Sequence, residues 1–219
     1  PKQQDEVGAA SISENGDAYI LKNNVLAASW MKVGNALYFA GCDAMNLLAG
    51  TEPFTVAFGG GDNVPASAMT LVDVKTETLT GNATAIVGAQ QYNGVQLVAN
   101  YEYEYKGTKI AIVWRAVLRD GSHYLRTEME LTGVDAVDMY NIIPMIYNVD
   151  TKAAGSTPKV VGNTRGATIV SNKIFAGLET PMAYNTVGEA IGEEDAWNLK
   201  DTKTASLTAT SWTQVAAAD

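Results

Sequence analysis

The chain has 219 residues, 47% of them hydrophobic and 18% charged, with a formal net charge of −9. That apolar content suffices for a sizeable core and excludes extended disorder, while the acidity argues against a protein that tracks nucleic-acid phosphates or an anionic membrane surface. A single cysteine, Cys42, excludes an intrachain disulfide and a cysteine-based zinc site.

The polar residues 1–6 carry neither a signal-peptide pattern nor a helix start, and read as a mature terminus. Residues 1–17 are expected to be a flexible leader and residues 18–219 a single β-sandwich domain. No apolar run approaches the length of a membrane span. Short β-rich runs follow at 18–21, 26–33, 36–42, 54–58, 68–74 and 83–87. Each is bounded by turn residues such as Asn15-Gly16-Asp17, Gly34-Asn35 and Gly81-Asn82. The stretch 50–62, with Pro53 and Gly59-Gly60-Gly61, is predicted to form an exposed loop beside an edge strand.

The segment 96–131 is the most informative. Lys106-Gly107 joins two alternating runs and places Tyr103 opposite Ile110, Tyr101 opposite Ile112, and Glu104 opposite Lys109. Asp120-Gly121 reads as a second two-residue type I′ turn. Counted from it, Leu118 faces His123, Trp114 faces Thr127, and Arg115 faces Arg126. One face of the resulting three strands is almost wholly apolar (Ile110, Ile112, Trp114, Ala116, Leu118), and the other is polar. Further runs lie at 137–149, 159–161, 167–170, 173–178 and 205–215, with 150–158 a loop and 189–199 a loop or single turn. Twelve or more strands imply an all-β fold, a large antiparallel β-sandwich of two packed sheets.

Arg115 opposite Arg126 demands a neutralising group, since like charges across a ladder repel. Glu128 on the same face could supply it as a surface ion network, or the arginines could grip the hydroxyls or carboxylate of a ligand in a groove. His123, the only histidine, falls on the apolar face and reads as structural; Cys42 reads as a buried inert thiol. Asp43, Glu52 and Asp62 lack the dense spacing of a calcium loop, so no metal and no cofactor is expected. Trp30 and Trp114 lie on strand patterns and belong to the core, leaving Trp197 as the exposed candidate for stacking on a sugar ring.

Residues 114–131 read WRAVLRDGSHYLRTEMEL and residues 162–187 read GNTRGATIVSNKIFAGLETPMAYNTV. Together they resemble the N-terminal β-sandwich that precedes the catalytic barrel in bacterial α-galactosidase-like glycan-processing proteins, a domain similar to the galactose mutarotase supersandwich. The resemblance spans residues 18–187. It implies a non-catalytic, carbohydrate-associated module, secreted, periplasmic or on the cell surface of a bacterium, with a glycan ligand, either followed by a C-terminal catalytic domain in a longer glycoside hydrolase or a freestanding relative. Arg126 and Glu179 are the matched polar positions. Galactose mutarotases use two histidines and a carboxylate, a set that one histidine does not supply.

Arg115, Arg126, Glu128, Glu179 and Trp197 are thus the candidate ligand-binding residues. Two other functions stay open. A glycoside hydrolase or polysaccharide lyase could work on the concave sheet face, with Glu128 or Glu179 as acid or base. An adhesion or assembly domain could meet protein partners through a sheet edge.

Overall fold

A computed structural model describes residues 4–59, 61–172, 175–178, 184–189 and 204–211. After the one-turn helix α1 (Gln4–Val7) come β1 (Ser11–Asn15), β2 (Ala18–Lys22), β3 (Ala27–Val33) and β4 (Ala36–Gly41), which pair in that order as an antiparallel sheet. β5 (Thr55–Phe58) and β6 (Asn63–Pro65) follow. Then β7 (Thr70–Leu79), β8 (Gly94–Tyr105), β9 (Thr108–Arg119) and β10 (Arg126–Gly133) form a second antiparallel sheet. β11 (Met139–Asp150) leads through the one-turn helix α2 (Thr151–Ala154) to β12 (Lys159–Val161), β13 (Thr168–Val170) and β14 (Phe175–Ala176), a small third sheet. The last strands, β15 (Tyr184–Glu189) and β16 (Thr204–Ser211), join a fourth sheet in the order β15-β16-β11-β5-β6. The fold is all-β and antiparallel, consistent with the expected β-sandwich, and its strands are hydrogen-bonded as four open sheets.

The Lys106-Gly107 hairpin adopts the expected register, with Tyr103 paired to Ile110, Tyr101 to Ile112 and Glu104 to Lys109. Both turn residues have positive φ, 49° and 85°, as a type I′ turn requires. The second hairpin differs. Of Asp120 and Gly121 only the glycine has positive φ, +70°, so the turn is not type I′. Ser122 N still donates to Arg119 O at 3.1 Å, but the chain then runs on through residues 123–125 before β10 begins. Pairing is displaced by two residues: Arg115 faces Glu128, Trp114 faces Met129, and Val117 faces Arg126. An even displacement preserves parity, so the apolar and polar faces stay as read even though every partner changes. His123 does not reach the apolar face; it is exposed in the lengthened loop.

That apolar face is the centre of the core. Ile110, Ile112, Trp114, Ala116 and Leu118 on β9, with Leu97, Ala99 and Tyr101 on β8, are all buried against Leu21, Ala28, Trp30, Leu37 and Phe39 of the first sheet. Aromatic rings connect the layers. Trp114 meets Trp30 edge-on at 5.7 Å, Trp30 meets Phe39 at 5.5 Å, and Phe39 meets Tyr147 of β11 at 4.8 Å. On the other side Phe54 meets Tyr101 at 5.1 Å, while Phe58 stacks on Tyr103 and, at 4.3 Å, on Tyr105. The stretch 50–62 is therefore not an exposed loop. Phe54, Val56 and Phe58 are fully buried, and β5 lies between β11 and β6, because alternate apolar side chains find the tyrosine row of β8.

Three other local expectations change. Residues 11–15, within the expected leader, form an edge strand paired to β2, and Val7 is completely buried. Residues 83–87 are not a strand. Asn82 Oδ1 accepts from Thr84 N (3.1 Å) and Thr84 Oγ1 (2.8 Å), a local alternative that competes with ladder pairing. The 150–158 loop opens with α2, whose first donors, Lys152 N and Ala153 N, are capped by Asp150 Oδ1 at 3.0 Å, and it stops at Gly155 with φ +67°. The expected loop or single turn at 190–199 lies outside the described residues.

Two side chains here carry predictions. Tyr101 is 1% exposed, and its hydroxyl finds no protein partner among the described residues. An unpaired buried hydroxyl costs on the order of 1 kcal/mol or more. Tyr101→Phe is therefore expected to raise the urea midpoint at unchanged m-value; a clear drop would mean that the hydroxyl is satisfied in solution. Cys42 is buried as expected, and burial pushes its thiol pKa up. Its reaction with a disulfide reagent at pH 8 should proceed no faster than unfolding, and rapid labelling of native protein would refute this.

Candidate polar groove

Register places the polar face of the second sheet in rows that cross it. One row reads Arg126, Val117, Gln96, Glu77; the next Glu128, Arg115, Val98, Lys75; the third Glu130, Val113, Asn100, Asp73. Arg115 thus faces a glutamate, and the two-residue displacement removes the arginine pair expected across the ladder. Arg115 instead bonds Glu130 through Nη2 and Oε2 at 3.1 Å, and Arg126 Nη1 lies 3.9 Å from Glu128 Oε1. Gln96 donates to Glu77 at 2.6 Å, while Asp73 is bonded by both Lys75 and Asn100. The Lys75 hydrogen bond, then that of Asn100, holds the Asp73 carboxyl below the ordinary aspartate range. Val98 and Val117 are buried beneath these long side chains, and the Arg115 and Arg126 side chains are only about a quarter exposed.

A groove opens at the end of this face. Its floor is Val117, one wall is Arg126, Glu128 and Arg119, and the other comes from the turn at Gln90 and from Ser122 and Tyr124 of the β9–β10 loop. Arg119 Nη1 donates to Tyr92 O at 2.9 Å, which ties β9 to the turn Gly88–Gln91. Ser122 Oγ donates to Tyr124 O (2.8 Å) and accepts from Tyr124 N (3.2 Å), so the backbone that carries the Tyr124 ring is fixed while 63% of the residue stays exposed. The depression holds about 20 Å³, room for a water-sized group. A ligand would lie across it rather than be enclosed.

The loop is held from outside its own hairpin. Asp120 Oδ1 accepts from Ala10 N at 2.7 Å, Gly121 N donates to Gly8 O at 2.9 Å, and Asn23 Nδ2 donates to Ser122 O at 2.8 Å. The N-terminal segment and the β2–β3 turn therefore set where Tyr124 stands. These contacts also explain the lengthened turn, because the groups that a two-residue hairpin would leave at its tip are bonded to another part of the chain.

A broader depression, about 240 Å³, lies by Tyr105, Lys106 and Asp138. There Lys106 Nζ sits 4.9 Å from the Tyr105 ring centroid, and the Tyr105 hydroxyl, then Asp62 and Asp138, push its pKa up. The groove at Arg126 collects more of the chemistry.

Of the candidate residues, Arg126 and Glu128 line the groove, and Arg115 lies on the same face, paired to Glu130. Glu179 and Trp197 lie outside the described residues. Trp30 and Trp114 are in the core, as read. Sequence reasoning missed Arg119, Ser122, Gln90 and Tyr124 as a group. Two-residue parity puts Tyr124 on the polar face opposite Val117, but nothing local indicates that Gln90 and Arg119 line the same groove. Among the described residues no group of three or more histidine, cysteine or acidic side chains is placed to hold a metal, and no helix is long and apolar enough to cross a membrane. Comparison with protein-family models, with curated proteins and with solved structures found no match to this chain.

Proposed function

We propose that this protein is a non-catalytic carbohydrate-binding β-sandwich module of the galactose mutarotase-like kind, the accessory part of a secreted or periplasmic bacterial glycoside hydrolase, and that it holds glycan on the polar face of the second sheet. The observation that carries this reading is the exposed Tyr124 ring beside Arg126 and Glu128 over a valine floor. An aromatic face suits the C–H face of a pyranose, and the flanking arginine, carboxylate and Gln90 amide suit its hydroxyls. From the groove the row Arg126, Val117, Gln96, Glu77 continues across four strands, about 14 Å at the usual strand spacing, long enough to follow an oligosaccharide.

A ligand that binds the native state raises its melting temperature. Screened against neutral galactosides and uronate oligosaccharides, the protein is expected to respond to at least one class, with the shift lost in Tyr124→Ala and in Arg126→Ala. The reading fails if no glycan shifts the transition, or if the shift survives both substitutions.

A further inference from the structure

We infer that β7 is the interface for a second copy of this chain, with two β7 edges pairing antiparallel about a two-fold axis on Val74, so that the second sheet runs on from one molecule into the other. β7 is the outer strand of that sheet and, at ten residues, the longest edge strand among the described residues. It pairs only with β8, and the backbone N–H and C=O groups on its outer side have no partner among the described residues. Such a row is a template for another strand, and the features that usually blunt an edge are few here. β7 contains no proline, its charged side chains Asp73, Lys75 and Glu77 all lie on the polar face, and the bulge at Val72 distorts only its beginning. β1, the open edge of the first sheet, packs over β7 and β8, so both sheets end on the same flank. Leu71 and Val74, packed against the core, stay half-buried there.

The pattern of charge selects a second copy. A two-fold axis normal to the sheet sets the two polar faces side by side, so polar residues face polar ones across it. With the axis on Val74, Asp73 of each copy faces Lys75 of the other. Lys75 Nζ already bonds Asp73 Oδ2 at 2.7 Å within each strand, so four charges close into a ring of alternating sign. Val74 then lies against its own counterpart, and the pair leaves water together. An axis on Asp73 or on Lys75 would set like charges opposite, and one on Thr76 would pair Lys75 with Glu77 but leave Asp73 opposite Leu79. In a chain of net charge −9 two copies repel over most approaches, whereas the Asp73 and Lys75 pair is balanced.

The test is sedimentation equilibrium of the whole chain, from low micromolar to several hundred micromolar, which is expected to show a monomer–dimer equilibrium. Asp73→Lys and Lys75→Asp each turn both contacts repulsive and should weaken the dimer about tenfold or more, in protein whose circular dichroism is unchanged. An equimolar mixture of the two variants restores opposite charges at both contacts and should recover association to near the original level. Should Asp73→Lys lose its fold, Lys75→Asp, at an exposed side chain, carries the test by itself.

A monomer at every concentration would overturn the inference. Slow exchange of the outer β7 amides would then assign the edge to another segment of this chain, and fast exchange would leave it to a strand of a different protein. A dimer that keeps its affinity in both variants would overturn the β7 interface. One weakened by Lys75→Asp but not by a folded Asp73→Lys would overturn the axis on Val74, and variants that fail to associate on mixing would overturn the charge pairing.

Discussion

Trp114→Ala is expected to lower the free energy of unfolding by about 4 kcal/mol, the range for removing a fully buried indole from a core that relaxes only in part. Trp114 is 0% exposed, faces Ala99 on β8 and Met129 on β10, and meets Trp30 of the opposing sheet edge-on. The chain of rings from Trp114 through Trp30 and Phe39 to Tyr147 spans three sheets, so the substitution opens a cavity where they meet. Its aromatic contact with Trp30 is lost as well, on the order of 1 kcal/mol beyond area. Trp114→Phe is expected to cost much less. It keeps a ring in the layer and removes an indole N–H that has no protein partner among the described residues. Equilibrium urea unfolding of the two variants checks the pair of values. Similar midpoints for Ala and Phe would mean that Trp114 contributes little through packing.

Gly94→Ala is expected to cost roughly 2–3 kcal/mol, the upper part of the range for a methyl group forced into closely packed surroundings. A Cβ at Gly94 would stand 2.5 Å from Leu118 O, 2.9 Å from Arg119 Cδ and 3.0 Å from Arg119 Cα. Two of these are backbone atoms, so the end of the β8–β9 ladder must move apart. The third belongs to the stem of an arginine that lines the groove, so ligand affinity should fall together with stability. Gly88→Ala is the control. It lies in the turn beside the same groove but would meet nothing within 4 Å, and should change stability by less than about 0.5 kcal/mol. Thermal unfolding of both variants tests this, and equal midpoints would remove the steric account.

The contrast between the two hairpins separates what local sequence specifies from what it does not. At Lys106-Gly107 the turn tip forms no hydrogen bond to a distant segment among the described residues, and turn chemistry with strand alternation fixed the register to the residue. At Asp120-Gly121 the same reasoning named the right faces and the wrong partners. The Asp120 carboxylate accepts from Ala10, and the Gly121 amide donates to Gly8, more than a hundred residues earlier in the chain. Contacts of such separation leave no local trace. Likewise the burial of residues 54–58 was hidden by nearby glycines and Pro53, because what buries Phe54 and Phe58 is the row of tyrosines on β8.

The sequence by itself determined the strand class, the apolar face of β8 and β9, the core places of Trp30, Trp114 and Cys42, and the presence of Arg115, Arg126 and Glu128 on one polar face. Period-two alternation settles these wherever the fold places the strands, since a side chain can only point to one face or the other. Tertiary structure alone decided which charge meets which, how the strands divide into four sheets, and that Arg119, Tyr124 and Gln90 join Arg126 around Val117. Those outcomes depend on hydrogen bonds between segments far apart in the chain, whose cost in loop closure is repaid only when the whole core forms.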